Sequence, residues 1–149
     1  IKMDNKIKSK TRLAAIQLVS QQLINKQDIE LIKEDFDKHY RNTIINDSKE
    51  KVEYNVNFLS KLISFFKLID QKIISEEIKN IIKFDRQFEN WDTINKAIIL
   101  VAISELRNSD KEKMKIILND YIEVSKSFVS LKETKLINLI LDKLINEKK

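Results

Sequence analysis

The chain has 149 residues, is 42% hydrophobic and 34% charged, carries a formal net charge of +5, and contains no cysteine, glycine or proline. This length suits one domain able to bury roughly 70% of its unfolded surface, and the apolar content excludes a disordered chain. Without cysteine there are no disulfides or thiolate metal sites, and without glycine there is no glycine-rich phosphate loop.

With both common helix breakers absent, the simplest fold is all-α, a compact bundle of about seven helices. No apolar run approaches the ~20 residues of a membrane span, and residues 1–10 are too polar for a secretory signal. A cytoplasmic protein without a membrane partner is expected.

In chain order, the first helix is expected from about Ser9 to Ile24, with Leu13, Ile16, Val19 and Leu23 as its stripe and residues 1–7 flexible. Asp28 opens a second, with Ile29, Ile32, Phe36 and Tyr40 facing inward. Asp47 and Glu50 form a D-x-x-E opening to a third, from about Lys49 to Ile69, after a mobile loop at 42–50. Ser75 is expected to cap a short fourth, "EEIKNIIKF", whose leading acids suit a helix N-terminus. Asp92 or Thr93 begins "INKAIILVAISEL", apolar nearly all round and therefore the buried centre. Capping boxes at Ser109/Glu112 and Ser130/Glu133 open the sixth and seventh. No linker or internal repeat divides the chain, so 1–149 reads as one domain.

The net charge has a location. Residues 1–26 hold six basic groups against the single acid Asp4, and residues 27–149 balance. A basic terminal block suits a polyanion such as RNA, DNA or an acidic membrane surface. Its setting is unusual, because Lys6, Lys8, Lys10 and Arg12 crowd the start of a helix, where the backbone dipole favours acids. At about 100° per residue, Lys8 and Arg12 continue the stripe of Ile16, Val19 and Leu23, whereas Lys10 points about 160° away from Arg12. The buried stripe thus turns cationic in what is expected to be the first turn. That turn is expected to overhang the end of the bundle, with Lys8, Lys10 and Arg12 contacting phosphates.

Catalytic chemistry finds no support. His39 is the only histidine and reads as a structural or surface residue. Adjacent acids such as Glu76 and Glu77 point to different sides of a helix. Trp91, at a loop-to-helix junction, suits packing over a bundle end better than base stacking. The expectation is a protein that is not an enzyme and has no cofactor and no metal.

Three segments near the end carry a resemblance. "NKAIILVAISEL" (95–106) matches a central-helix pattern E-x-A-I-L-R-x-A-x-Y-E-L. "LNDYIEVSKSF" (118–128) matches I-N-E-A-I-E-L-A-K-x-F, and "KLINLILD" (135–142) matches K-F-V-N-G-V-L-D. Near the start, "KTRLAAIQLVS" (10–20) is similar to a basic cluster running into R-x-x-A-x-Q-x-L-Y. In order and spacing these segments resemble the NusB family of bacterial transcription antitermination factors.

The resemblance implies two packed helical subdomains and a function in antitermination at ribosomal RNA operons. The implied partners are boxA-type RNA, the ribosomal protein NusE and the RNA polymerase antitermination complex. It implies RNA-binding positions at Lys6, Lys8, Lys10, Arg12 and Ser20, and at Lys132, Lys135 and Leu136 at the start of the last helix. A NusE surface on the fifth and sixth helices would use Asn95, Ile98, Ile99, Met114 and Lys115. Ser20 and Leu136 stand where the family has tyrosine and phenylalanine, so two stacking platforms are missing. Lys132 replaces a residue that is often acidic, and Leu139 replaces a usual glycine. The alternative function is a helical interaction or assembly module, such as a homodimer, with little or no specific RNA binding. A module of an RNA cytosine methyltransferase and a DNA-binding protein rank lower.

Overall fold

The computed structural model describes residues 5–40, 54–82 and 88–146. Seven α-helices occur among them: α1 (Asn5–Asn25), α2 (Ile29–Tyr40), α3 (Val56–Leu68), α4 (Gln71–Ile81), α5 (Thr93–Leu106), α6 (Met114–Ser125) and α7 (Leu131–Asn146). Short 3-10 turns precede α5 and α6, at Phe88–Asn90 and Lys111–Lys113. The expected all-α bundle is the observed fold. The 42–50 loop, the Asp47/Glu50 opening, the inward side chain of Tyr40 and the end of "EEIKNIIKF" lie outside the described residues.

The hub is α5. Every residue from Ala97 to Leu106 is buried, as its all-round apolar sequence predicts, and it packs against α1, α3, α6 and α7. Helices α1 and α3 pack on it and on each other, with α2 against α1, while α6 and α7 pack on it and on each other, with α4 against α7; α1 also meets α6. Phe88 and Trp91 meet edge to face, with centroids 5.2 Å apart, and Trp91 packs half-buried against the core. Trp91 thus packs, as expected, against the core.

Several helix starts differ from expectation, each for a local reason. Helix α1 begins at Asn5, so Arg12 lies two turns inside it. Helix α3 begins at Val56, capped by Asn55, whose side chain accepts from the Phe58 N–H at 2.8 Å. Ser75 is no cap. Asp70 caps α4 by accepting from the N–H groups of Lys72 and Ile73 at 2.9 and 3.4 Å. Ile74 and Ile78, one turn apart and both buried, need that earlier start, which leaves Ser75 buried within the helix and Glu76 and Glu77 beyond its first turn. At α6, Ser109 donates to the carbonyl of Leu106 at 2.9 Å instead of capping, and a 3-10 turn precedes the helix.

The box before α7 forms as expected. The Glu133 N–H donates to Ser130 Oγ at 3.2 Å, and Glu133 Oε1 accepts from the Ser130 N–H at 3.2 Å. Helix α1 ends on Lys26 at φ 58, with its N–H bonded to the carbonyl of Gln22. This left-handed C-terminal position usually falls to glycine, which the chain lacks.

Candidate nucleic-acid interface

The dipeptide Thr11-Arg12 organises the start of α1. Thr11 is fully buried; its hydroxyl donates to the carbonyl of Ile7 at 2.7 Å and accepts the N–H of Asn55 at 2.9 Å. It thereby fixes the residue that caps α3 against α1. Arg12, 6% exposed, sits between α5 and α6. Its Nε and Nη2 donate to the two carboxylate oxygens of Glu105 at 2.9 and 2.7 Å, and Nη1 donates to Asp120 at 2.6 Å. The Tyr121 hydroxyl donates to Glu105 at 2.6 Å, and Ser9 donates to the second oxygen of Asp120. The rings of Phe58 and Tyr121 lie 5.4 Å from the guanidinium carbon. A planar fork held by two carboxylates and flanked by two rings uses what distinguishes arginine from lysine.

Burial would lower the Arg12 pKa, but the hydrogen bonds and charge of Glu105, with Tyr121 and Asp120, outweigh it and raise the value. The guanidinium therefore stays charged. Burial, then the Glu105 charge, pushes the Tyr121 phenol well above its ordinary value, so the hydroxyl stays a donor.

This geometry corrects the expectation for Arg12. Its face of the helix does not overhang the bundle, and its donors point to acids of α5 and α6 rather than to a phosphate. Ser9, Phe58, Glu105, Asp120 and Tyr121 were not among the residues singled out by sequence. One signal was present: Glu105 is the only acid within a helix otherwise apolar or small from Ala97 to Leu106, and such an acid needs a cation.

The lysines behave differently. Lys6 and Lys10 are exposed and Lys8 is half-buried, and Lys8 and Lys10 form no ion pair among the described residues. Ser20 is half-buried, and its buried hydroxyl has no hydrogen-bond partner among the described residues. It presents no polar group for a base.

At α7, Lys132 and Lys135 are exposed, while Leu136 packs partly buried against the core. Lys135 lines a groove between α6 and α7 that Lys132 and Leu136 do not reach. The three residues thus divide between two flanks of the helix. Ile98 and Ile99 are fully buried, which corrects their expected place on a partner surface. Asn95 donates to Glu133 at 2.8 Å, beside the start of α7. Met114 and Lys115 follow the connection from the other end of α5, which lies about 16 Å from Asn95 by helical rise. Of the five expected partner residues, the burial of Ile98 and Ile99 leaves Asn95, Met114 and Lys115 within reach of a partner.

Among the described residues, no group of acids and histidine is arranged to hold a metal ion, and no helix is long and apolar enough to cross a membrane.

Residues 9–146 match the NusB family. The chain belongs to that family. It is 31% identical to the transcription antitermination protein NusB of Rickettsia bellii, over 97% of this chain and 95% of that protein. It is 28% identical to the protein of the same name from Psychromonas ingrahamii, over 100% and 94%. The counterpart from Colwellia psychrerythraea is 28% identical over 91% and 90%. NusB membership and the relatives' names support a transcription antitermination factor, and the all-α bundle agrees with the fold expected from the resemblance.

Proposed function

We propose that this NusB-family chain is a transcription antitermination factor that binds boxA-type RNA together with NusE, in support of ribosomal RNA operon transcription. The match over residues 9–146 to a family whose relatives are named transcription antitermination protein carries this reading. The charge distribution supports it independently, since the protein's net positive charge resides in residues 1–26 and three of those lysines lie on α1.

In this reading Lys6, Lys8 and Lys10 supply the phosphate contacts. Arg12 acts through them: with Glu105, Asp120 and Thr11 it anchors the first turns of α1 to α3, α5 and α6, so that the lysines are presented from a fixed helix. Preorganised cations lose less entropy on meeting a phosphate than flexible ones. Lys132 and Lys135 add charge at α7. With Ser20 and Leu136 in place of aromatic platforms, base discrimination depends more on the partner protein than on stacking by this chain.

The test is the affinity for a boxA RNA and for a scrambled RNA of equal length, each with and without NusE, over a range of salt. Preference for boxA that sharpens with NusE supports the proposal. Equal affinity for both RNAs in the presence of NusE would overturn it, and self-association without RNA binding would favour an assembly role.

A further inference from the structure

The groove between the antiparallel helices α6 and α7 has a built chemistry of which the proposed RNA binding uses only Lys135. Met114, Leu118, Leu139 and Ile145 form its apolar surface, and Leu139 remains 44% exposed. Lys111, Lys115 and Lys135 stand along it against one acid, Asp142. None of the three lysines forms an ion pair among the described residues. We propose that this groove docks an acidic amphipathic helix of a partner protein, with apolar side chains on Met114 and Leu139 and carboxylates facing Lys111, Lys115 and Lys135.

Three features favour that occupant. The excess of lysine over acid calls for negative charge, while the aliphatic surface calls for apolar anchors, a pairing found on one amphipathic helix. The walls are helices whose backbone groups are already bonded, so an extended segment would gain no ladder from them, whereas a helix satisfies its own backbone. Lys135, Leu139, Asp142 and Asn146 recur at helical spacing along α7 and line the groove. That length of helix, about 16 Å, accepts three turns packed alongside. RNA fits less well, because no aromatic side chain lines the groove for a base to stack on.

The inference rests on the proposed action together with a protein partner, for which Met114 and Lys115 are expected contacts, and it specifies the chemistry of the segment they receive. The test uses the full chain and a synthetic 16-residue helix with leucines at i, i+3, i+4 and i+7 spacing and glutamates on its flanks. A glutamine-flanked peptide and a 12-nucleotide oligouridine serve as controls. Binding is read by fluorescence anisotropy and by amide chemical shifts of α6 and α7.

The glutamate peptide is expected to shift residues of both helices and to bind about tenfold tighter than the glutamine peptide. Lys115→Glu/Lys135→Glu should abolish that preference, and Leu139→Gln should weaken both peptides, with thermal midpoints unchanged. No binding, equal binding of the two peptides, or tighter binding of oligouridine to the same amides would overturn the inference. NusE-dependent boxA binding that survives such a result would leave the proposed function standing.

Discussion

Two basic helix starts, those of α1 and α7, reach the surface by different routes. Helix α7 is started locally: Ser130 and Glu133, three residues apart, bond to each other's backbone, and Lys132 and Lys135 project from the helix they begin. Helix α1 is held from a distance. Its Thr11 binds the start of α3, and its Arg12 binds acids 93 and 108 positions away in the sequence. Sequence-local capping produces a surface that can be read from a short window. A long-range ion network produces one whose cations divide into exposed or half-buried lysines and a buried arginine, with no local mark to say which is which.

The sharpest way to break that contrast is to remove the buried cation. Arg12→Met leaves the Glu105 and Asp120 carboxylates facing an apolar side chain and should cost about 3–5 kcal/mol. That loss lowers the thermal midpoint by roughly 10 °C or more. Arg12→Met/Glu105→Leu should recover part of the loss, because the stranded acid goes with its partner. A single variant as stable as the parent would show that the network does not anchor α1.

The lysines of α1 should give the opposite pattern. Lys6→Ala/Lys8→Ala/Lys10→Ala should leave stability within about 1 kcal/mol of the parent. It should weaken binding of single-stranded RNA of any sequence and reduce the salt slope by up to about 2. Filter binding between low and moderate salt checks this. An unchanged slope would remove the α1 lysines from the interface.

Local capping at α7 predicts a smaller effect. Ser130→Ala should cost about 1 kcal/mol, read by denaturant titration. Hydrogen bonds from Asn95, then from Ser130, lower the Glu133 pKa. A lowered carboxylate stabilises the fold above its unfolded value and loses that contribution as pH falls through its folded value. Glu133→Gln should therefore flatten the acid limb of the stability curve, with the difference from the parent vanishing at the lowest pH.

The smallest change is expected at the far end of α1. Lys26 adopts φ 58, a conformation that costs a residue with a Cβ on the order of 1 kcal/mol. Lys26→Gly should raise stability by about that amount or less, and it should leave RNA affinity unchanged unless Lys26 joins the interface.

Much of the fold was legible in short windows. The central helix declared itself because ten successive residues, Ala97–Leu106, are buried, and a helix buried on every side shows no polar face. The opening of α2 at Asp28 and the box at Ser130 were equally readable, since a cap and its target lie within one turn. Ser75 and Ser109 were misread because serine in a helical context has other uses. Ser75 is buried inside α4, and Ser109 bonds backward to the turn that ends α5. Competing caps nearby, Asp70 among them, differ in nothing that composition reveals.

The candidate site was legible in its charge but not in its geometry. Counting charges located the basic block, and helical angles placed Lys8 and Arg12 on the core-facing side. Those angles could not say where the core ends. Starting α1 at Asn5 rather than Ser9 moves Arg12 inward by about one turn, enough to bring it between two carboxylates instead of into solvent. The same limit applied to Ile98 and Ile99, where the resemblance suggested a partner surface and burial excluded it.

By itself the sequence determined the all-α class, the buried central helix, the family and the place of the net charge, because each depends on composition or on residues within a few turns. Tertiary structure alone decided that Arg12 is a buried anchor while Lys6 and Lys10 are exposed, and that Lys135 borders an apolar groove. Those outcomes depend on which distant side chains arrive opposite a given face. A guanidinium between Glu105 and Asp120 is held by charges whose positions are set by α5 and α6 packing, and no local pattern in α1 encodes that packing.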